Sequence, residues 1–182
     1  PTFGDPAEPG VYTRSRWGDL DFFMLDVRYE RDPPGTAGAR IWGDRQAAWL
    51  EGELQRSTAT FKFIASGTLF SPTPDETWLD YPTSRTRLFE FIRVHRIGGV
   101  VLLSGDVHRS MLRRIHRAGV GAYELPEVVS SPLANSTSAC PASAEPDAAQ
   151  IACYTGGPSF VVLEVDTRAA DPRVVAGVLD AA

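Results

Sequence analysis

The sequence predicts an α/β fold whose carboxyl half is mainly β. Three observations carry the prediction. Strand-like and helix-like segments alternate from Leu20 to Gly105. The run Val100-Val101-Leu102-Leu103, behind the breaker Gly98-Gly99, reads as a strand buried on both faces of a sheet. Beyond His108 the apolar segments become short, extended and rich in valine.

Taken in order, residues 1–18 are rich in turn formers, with a possible edge strand over residues 10–18. Residues 20–27 form a near-continuous apolar run, predicting a central strand that ends in Asp26-Val27-Arg28. Residues 29–41 are polar and contain Pro33-Pro34-Gly35, so they predict a loop. Gly43-Asp44 opens a helix in which Asp44 can cap the free amides and Ala47, Leu50 and Leu54 share a face. Residues 60–66 predict a third strand. A long loop follows over residues 67–82, carrying Pro72, Pro74, Asp75, Glu76, Trp78 and Tyr81.

Thr83-Ser84 precede a second helix with the apolar stripe Leu88, Phe91, Ile92 and position 95. The strand over residues 100–105 completes a strand-helix-strand-helix-strand order, the pattern of a sheet with crossover helices. Further short strands are expected at residues 111–115, 121–125 and 127–130, and a hairpin from 159–165 and 173–179.

Length and composition fit one soluble globular domain spanning residues 1–182, with 43% hydrophobic and 23% charged residues. The net charge of −5 argues against a nucleic-acid backbone as the main partner. All the basic residues except Lys62 are arginine, which fits a GC-rich coding background as well as a set of phosphate clamps. No stretch approaches the ~20 apolar residues of a membrane span. The opening Pro-Thr-Phe-Gly-Asp-Pro has neither a start methionine nor a signal peptide, and reads as a processed product or a fragment. Cys140 and Cys153 flank a loop-like run with no CxxC partner or nearby histidine. A disulfide closing that loop is the preferred reading over two unrelated thiols. It would contribute about 3 kcal/mol against the unfolded chain and favour an oxidising compartment.

Ligands in such sheets gather at the carboxyl ends of the strands, where Asp26-Arg28, Ser66-Gly67 and Asp106-His108 fall. Asp106 and His108 are two apart, so extended backbone would send both side chains to one side and offer half of a metal site. Asp26 and Arg28 share a face by the same rule. Arg28 could grip a phosphoryl oxygen bidentately or pair with a structural carboxylate. His95, on a helical apolar stripe, reads as a packing residue. His116, among Arg113, Arg114 and Arg117, reads as a surface strand position. Trp17, Trp42, Trp49 and Trp78 read mostly as core, with Trp78 on the long loop also suited to a substrate wall. Ser104-Gly105-Asp106 is not the Gly-x-Ser-x-Gly elbow of a serine hydrolase, and no helix directly follows the strand.

Leu103-Ser104-Gly105-Asp106-Val107-His108-Arg109-Ser110 resembles the C-terminal metal motif of PhoD-like alkaline phosphatases, in the calcineurin-like metallophosphoesterase group. The likeness extends to Arg16-Trp17-Gly18-Asp19 with Leu25-Asp26-Val27-Arg28, to the helix of Gln46, Trp49, Leu50, Leu54 and Ser57, and to Trp78 through Arg87. Glu124-Leu125 with Ser130-Ser131 continues it, so it covers roughly residues 10–135. The resemblance implies an α/β/β/α sandwich and export to an extracellular or periplasmic space. It also implies hydrolysis of phosphate mono- or diesters by two or more metal ions, iron and calcium or other divalent metals. Asp106 and His108 are the metal ligands it implies.

The family's other ligands come from earlier motifs, an Asp after a first strand and a Trp-Asp-Asp-His-like segment, and neither occurs here. A binuclear site needs roughly six or more protein ligands. The expectation is therefore the C-terminal half of a catalytic domain, inactive alone, with the missing N-terminal segment as partner and a phosphoester as substrate. The alternative is a non-catalytic metal- or partner-binding module derived from the same fold, whose bare apolar edges would favour oligomerisation.

Overall fold

The structure, a computed structural model, describes residues 2–3, 10–116, 119, 122–141, 144–145 and 148–181. Its first elements are β1 (Thr2–Phe3), β2 (Thr13–Trp17), β3 (Leu20–Met24), α1 (Asp44–Arg56), β4 (Phe61–Ala65), α2 (Pro82–Val94) and β5 (Val100–Ser104). A short 3-10 turn, Trp78–Asp80, interrupts the loop between β4 and α2. Then come β6 (Ser110–Ile115), β7 (Leu125–Val129), β8 (Ala144–Glu145), β9 (Ala148–Tyr154), β10 (Ser159–Asp166) and β11 (Arg173–Asp180).

The fold is α/β. A nine-stranded sheet has the order β1-β2-β3-β4-β5-β7-β6-β9-β8, and β10-β11 form a separate antiparallel pair. The pairs β3-β4, β4-β5 and β5-β7 are parallel, and crossovers through α1 and α2 join β3 to β4 and β4 to β5. Alternation along each strand divides its side chains between two cores. Phe23, Ile64 and Leu102 face α1 and α2, packing with Leu50, Leu54, Leu88 and Ile92. Phe22, Phe63 and Val101 face the other way and meet Val161, Leu163 and Val174 of the β10-β11 hairpin. Among the described residues this makes three layers, helix, sheet and hairpin.

Not all of the β-rich carboxyl half forms a second sheet. β6, β7 and β9 extend the first sheet, because β7 docks in parallel beside β5 and the others add antiparallel ladders. The strand expected at 121–125 contains Gly121, which lies outside the described residues, and β7 begins only at Leu125. Cys140 and Cys153 are joined in a disulfide with Cα atoms 6.1 Å apart. The segment between them is not all loop, since Cys153 belongs to β9, paired with Met111.

Several local expectations are corrected. Asp44 does not cap α1; Gly43 holds that position, and the Asp44 carboxylate turns to Arg87 and Arg40, at 3.0 and 3.4 Å. Trp17 is 79% exposed, at the far end of β2 beside an open trough, and is not core. Trp78 is fully buried and is no substrate wall. Its ring stacks on Phe70 at 4.8 Å and meets Trp42 edge-on at 4.9 Å, and its indole N–H donates to Ser66 Oγ at 3.1 Å. His95 is exposed because α2 stops at Val94, leaving its ring against Phe91 and its Nδ1 3.0 Å from Gln55 Nε2.

The start of β5 shows why Gly98-Gly99 stands there. Gly99 has φ +68°, and a Cβ at that position would lie 2.0 Å from the Thr60 carbonyl oxygen. Only glycine permits both the conformation and the approach to β4. Nearby, Lys62 donates to the carbonyls of Ala59 and Gly98, at 2.5 and 3.2 Å. Burial pulls its pKa down, against the opposing pull of Asp21 and Asp19. This polar knot occupies the amino ends of the parallel strands and is structural.

Candidate functional site

The carboxyl ends of β3, β4 and β5 turn into three loops that meet at a polar cavity of about 170 Å³. Arg28 comes from the first loop, Thr68, Asp75 and Glu76 from the second, and Asp106 from the third. A larger cavity of about 470 Å³ lies between the sheet and the hairpin, walled by Trp17, Phe22, Phe63 and Leu163. Among its lining residues Asp19 alone is ionisable, and Asp19 is already bonded to Thr60. The smaller cavity holds the convergent charges and is the candidate site.

Asp106 and His108 do not stand on extended backbone. β5 ends at Ser104, and the two residues have φ of 70° and 54°. A left-handed backbone at a non-glycine residue costs about 1–3 kcal/mol and persists where the surroundings impose it. The pleat argument for a shared face therefore fails. A strained turn held from outside presents the two side chains instead. The His108 amide donates to Ser131 Oγ at 3.2 Å, and its carbonyl accepts from Ser138 N at 2.8 Å. Val107 between them is buried with Leu69, Met111 and Val129, which pins the turn from below.

The Asp106 carboxylate is open to solvent, with Arg28 Nη2 at 3.6 Å from Oδ2. An exposed pair of this length adds little stability. His108 Nε2 lies 3.5 Å from Asn135 Nδ2. A carboxylate and an imidazole are a donor set suited to a first-row divalent metal, and in number they are part of a coordination shell. Among the described residues there is no group of three or more His, Cys, Asp and Glu side chains that could hold a metal ion.

The loop after β4 forms the opposite wall and is tied at several points. Arg109, almost fully buried, pairs with Asp75. Arg31 Nη1 reaches Glu76 Oε1 at 2.5 Å, and Tyr81 OH donates to the same oxygen at 3.1 Å. Burial, and then the Glu76 carboxylate, push the Tyr81 phenol up to about 12, so it remains a donor. Sequence reasoning missed Glu127, which anchors the root of this loop. Glu127 is 1% exposed, and its carboxylate accepts from Phe70 N at 2.8 Å, Ser71 N at 2.9 Å and Ser104 Oγ at 2.7 Å. A lone carboxylate within the buried strand Leu125–Val129 was the available signal. Because Ser104 donates to Glu127, a serine-hydrolase role for it gains nothing here.

Asp26 organises the first loop without lining the cavity. Its carboxylate accepts from Arg28 N and Tyr29 N at 3.0 Å each, and from Val11 N at 3.1 Å. Burial pushes the Asp26 carboxyl up, but the three amides outweigh it and hold its pKa below the ordinary value. The stability linked to this carboxylate is thus fully present above the ordinary carboxyl pKa. It is lost as pH falls through the depressed folded-state value. Urea midpoints measured across the acid range are expected to fall less steeply in Asp26→Asn than in the parent. Equal slopes would show that Asp26 does not carry this dependence.

The sequence model for PhoD-like phosphatases matches residues 4–169. Alkaline phosphatase D of Bacillus subtilis (strain 168) is 31% identical over a match that covers 58% of this chain and 22% of that protein. A solved structure described as "Structure of PhoD" is similar with a TM-score of 0.58 at 24% identity, covering 70% of this chain and 30% of that one, a likeness of fold. The chain thus spans about a fifth of the length of the curated relative it matches.

Proposed function

Because the chain belongs to the PhoD-like phosphatase family, we propose that it supplies the C-terminal part of a metal-dependent site hydrolysing phosphate mono- or diesters. The observation that carries the reading is the strained turn after β5, which offers Asp106 and His108 beside a polar cavity with Arg28 within 3.6 Å of the carboxylate. Backbone strain of this kind gathers at functional sites.

Asp106 Oδ and a His108 ring nitrogen would hold a metal. When bound, such a cation polarises a phosphoryl oxygen and lowers the pKa of a bound water. Arg28 orients the substrate, its planar guanidinium suiting two phosphoryl oxygens at once. Arg109 and Arg31 keep Asp75 and Glu76 engaged, which limits the repulsion an incoming phosphate dianion meets from that wall. The remaining ligands, and so activity, come from further chain of the same domain. Iron with calcium, or another divalent pair, is the metal set proposed. The disulfide supports an extracellular or periplasmic setting. No helix among the described residues is long and apolar enough to cross a membrane.

The test combines metal titration with turnover of p-nitrophenyl phosphate and bis-p-nitrophenyl phosphate. This chain alone is expected to bind Mn or Zn weakly and to turn over neither ester. Joined to the remainder of the domain it is expected to gain turnover that Asp106→Asn and His108→Ala each reduce at least ~100-fold. Turnover that survives both substitutions would overturn the assignment. The alternative reading is a non-catalytic metal- or partner-binding module derived from the same fold. Metal binding with no turnover in any combination would select it.

A further inference from the structure

Among the buried positions of α1, Ala47, Leu50 and Leu54 are apolar and Gln46 is not, although it is 1% exposed. Both polar ends of Gln46 are spent on a single residue of the loop that follows β3. Its Oε1 accepts from Asp26 N at 2.8 Å, and its Nε2 donates to Asp26 O at 2.6 Å. The β3-β4 ladder reaches Ala65 O through Leu25 N at 2.8 Å. At the next residue Gln46 takes the place of a neighbouring strand. A side-chain amide buried in this way satisfies a main chain that packing alone would leave unpaired.

The clamp acts on a short lever. With its main chain fixed by Gln46, Asp26 turns its carboxylate onto the amides of Arg28 and Tyr29. The base of the Arg28 side chain is thereby set, while its guanidinium remains half exposed beside Asp106. A long arginine side chain has much rotamer freedom, and fixing its backbone is how a fold restricts where the charge can go.

We propose that Gln46 is a positioning residue, acting through the main chain of Asp26 to aim Arg28 at a phosphoryl group. The inference rests on the reading of Arg28 as the phosphoryl-binding arginine. Displacement of a binding group by about 1 Å can cost two orders of magnitude in function, so a partial loss of aim is measurable.

The experiment titrates inorganic phosphate and follows the Arg28 Nε–H signal and the surrounding amides by NMR. It compares the parent with Gln46→Leu, Leu50→Ala and Arg28→Ala, and records thermal stability for each. Gln46→Leu keeps the volume and removes both bonds to Asp26. Leu50→Ala damages the same helix face without touching Asp26. The expected result is about tenfold weaker phosphate binding in Gln46→Leu, parent-like binding in a less stable Leu50→Ala, and none in Arg28→Ala. If Gln46→Leu fails to fold, Gln46→Glu is read in its place, since it sets a carboxylate oxygen against the Asp26 carbonyl. Phosphate binding that persists in Arg28→Ala, or is absent from the parent, would overturn the role of Arg28 and the proposal with it. Binding lost in Arg28→Ala but unchanged in the Gln46 variant would overturn the proposal alone. Equal weakening in Leu50→Ala would also overturn it, because general helix damage would then suffice.

Discussion

Replacing Trp78 with alanine is expected to lower unfolding free energy by about 4 kcal/mol, within the range for removing a fully buried large aromatic side chain. Trp78 has no exposed surface, and its ring lies between Phe70 and Trp42. Its truncation would leave a cavity too rigidly walled to collapse, because Phe70 is held by Glu127 and Trp42 belongs to the same core. The indole N–H bond to Ser66 is lost as well, and Ser66 holds Thr68 N and Thr68 O at the edge of the candidate site. Trp78→Phe should recover most of the stability, at a residual cost of about 1–2 kcal/mol for the missing donor and volume. Urea denaturation with matched m-values checks both variants. A midpoint for Trp78→Ala equal to that of the parent would mean the loop is not packed as described.

Glu127→Ala should destabilise by a similar amount, about 4 kcal/mol, through a different mechanism. Three donors lose their acceptor at once, the amides of Phe70 and Ser71 and the hydroxyl of Ser104. Each stranded buried donor costs about 1–3 kcal/mol unless water can enter to replace the carboxylate. Glu127→Gln has nearly the same shape but presents an NH₂ where one donor already points, so it should recover only part of the loss. Hydrogen exchange offers a local check, because the amides of Phe70 and Ser71 should lose protection before the β5 ladder does. Retained protection at these two amides in Glu127→Ala would show that the carboxylate does not hold the loop.

These two residues mark where sequence reading succeeds and where it stops. Period-two and period-3.6 apolar patterns are properties of neighbouring residues, so β3, α1, β4, α2 and β5 were legible in order. The apolar stripe Ala47, Leu50 and Leu54 was read correctly, because a helix repeats its environment along one face. Sequence alone leaves Trp78 between core and substrate wall for the opposite reason, and the fold makes it core. A tryptophan in a proline-rich loop has no periodic context, and only the return of that loop over Phe70 and Trp42 buries it. His95 shows the same limit at a helix end, where the stripe continues in sequence after the helix itself has stopped.

By itself, the sequence determined the family likeness, the α/β order and the place of Asp106 and His108 just beyond a buried strand. All three are encoded in contiguous residues and their spacing. Tertiary structure decided how that turn is held, on left-handed backbone pinned by Ser131, Ser138 and buried Val107. It also decided that Arg28 would stand beside Asp106, that Glu127 would root the facing loop, and that Gln46 would grip Asp26 from twenty residues away. The physical reason is common to these contacts. A buried hydrogen bond needs a partner in space, and the local pattern of a chain does not record which distant segment will supply it.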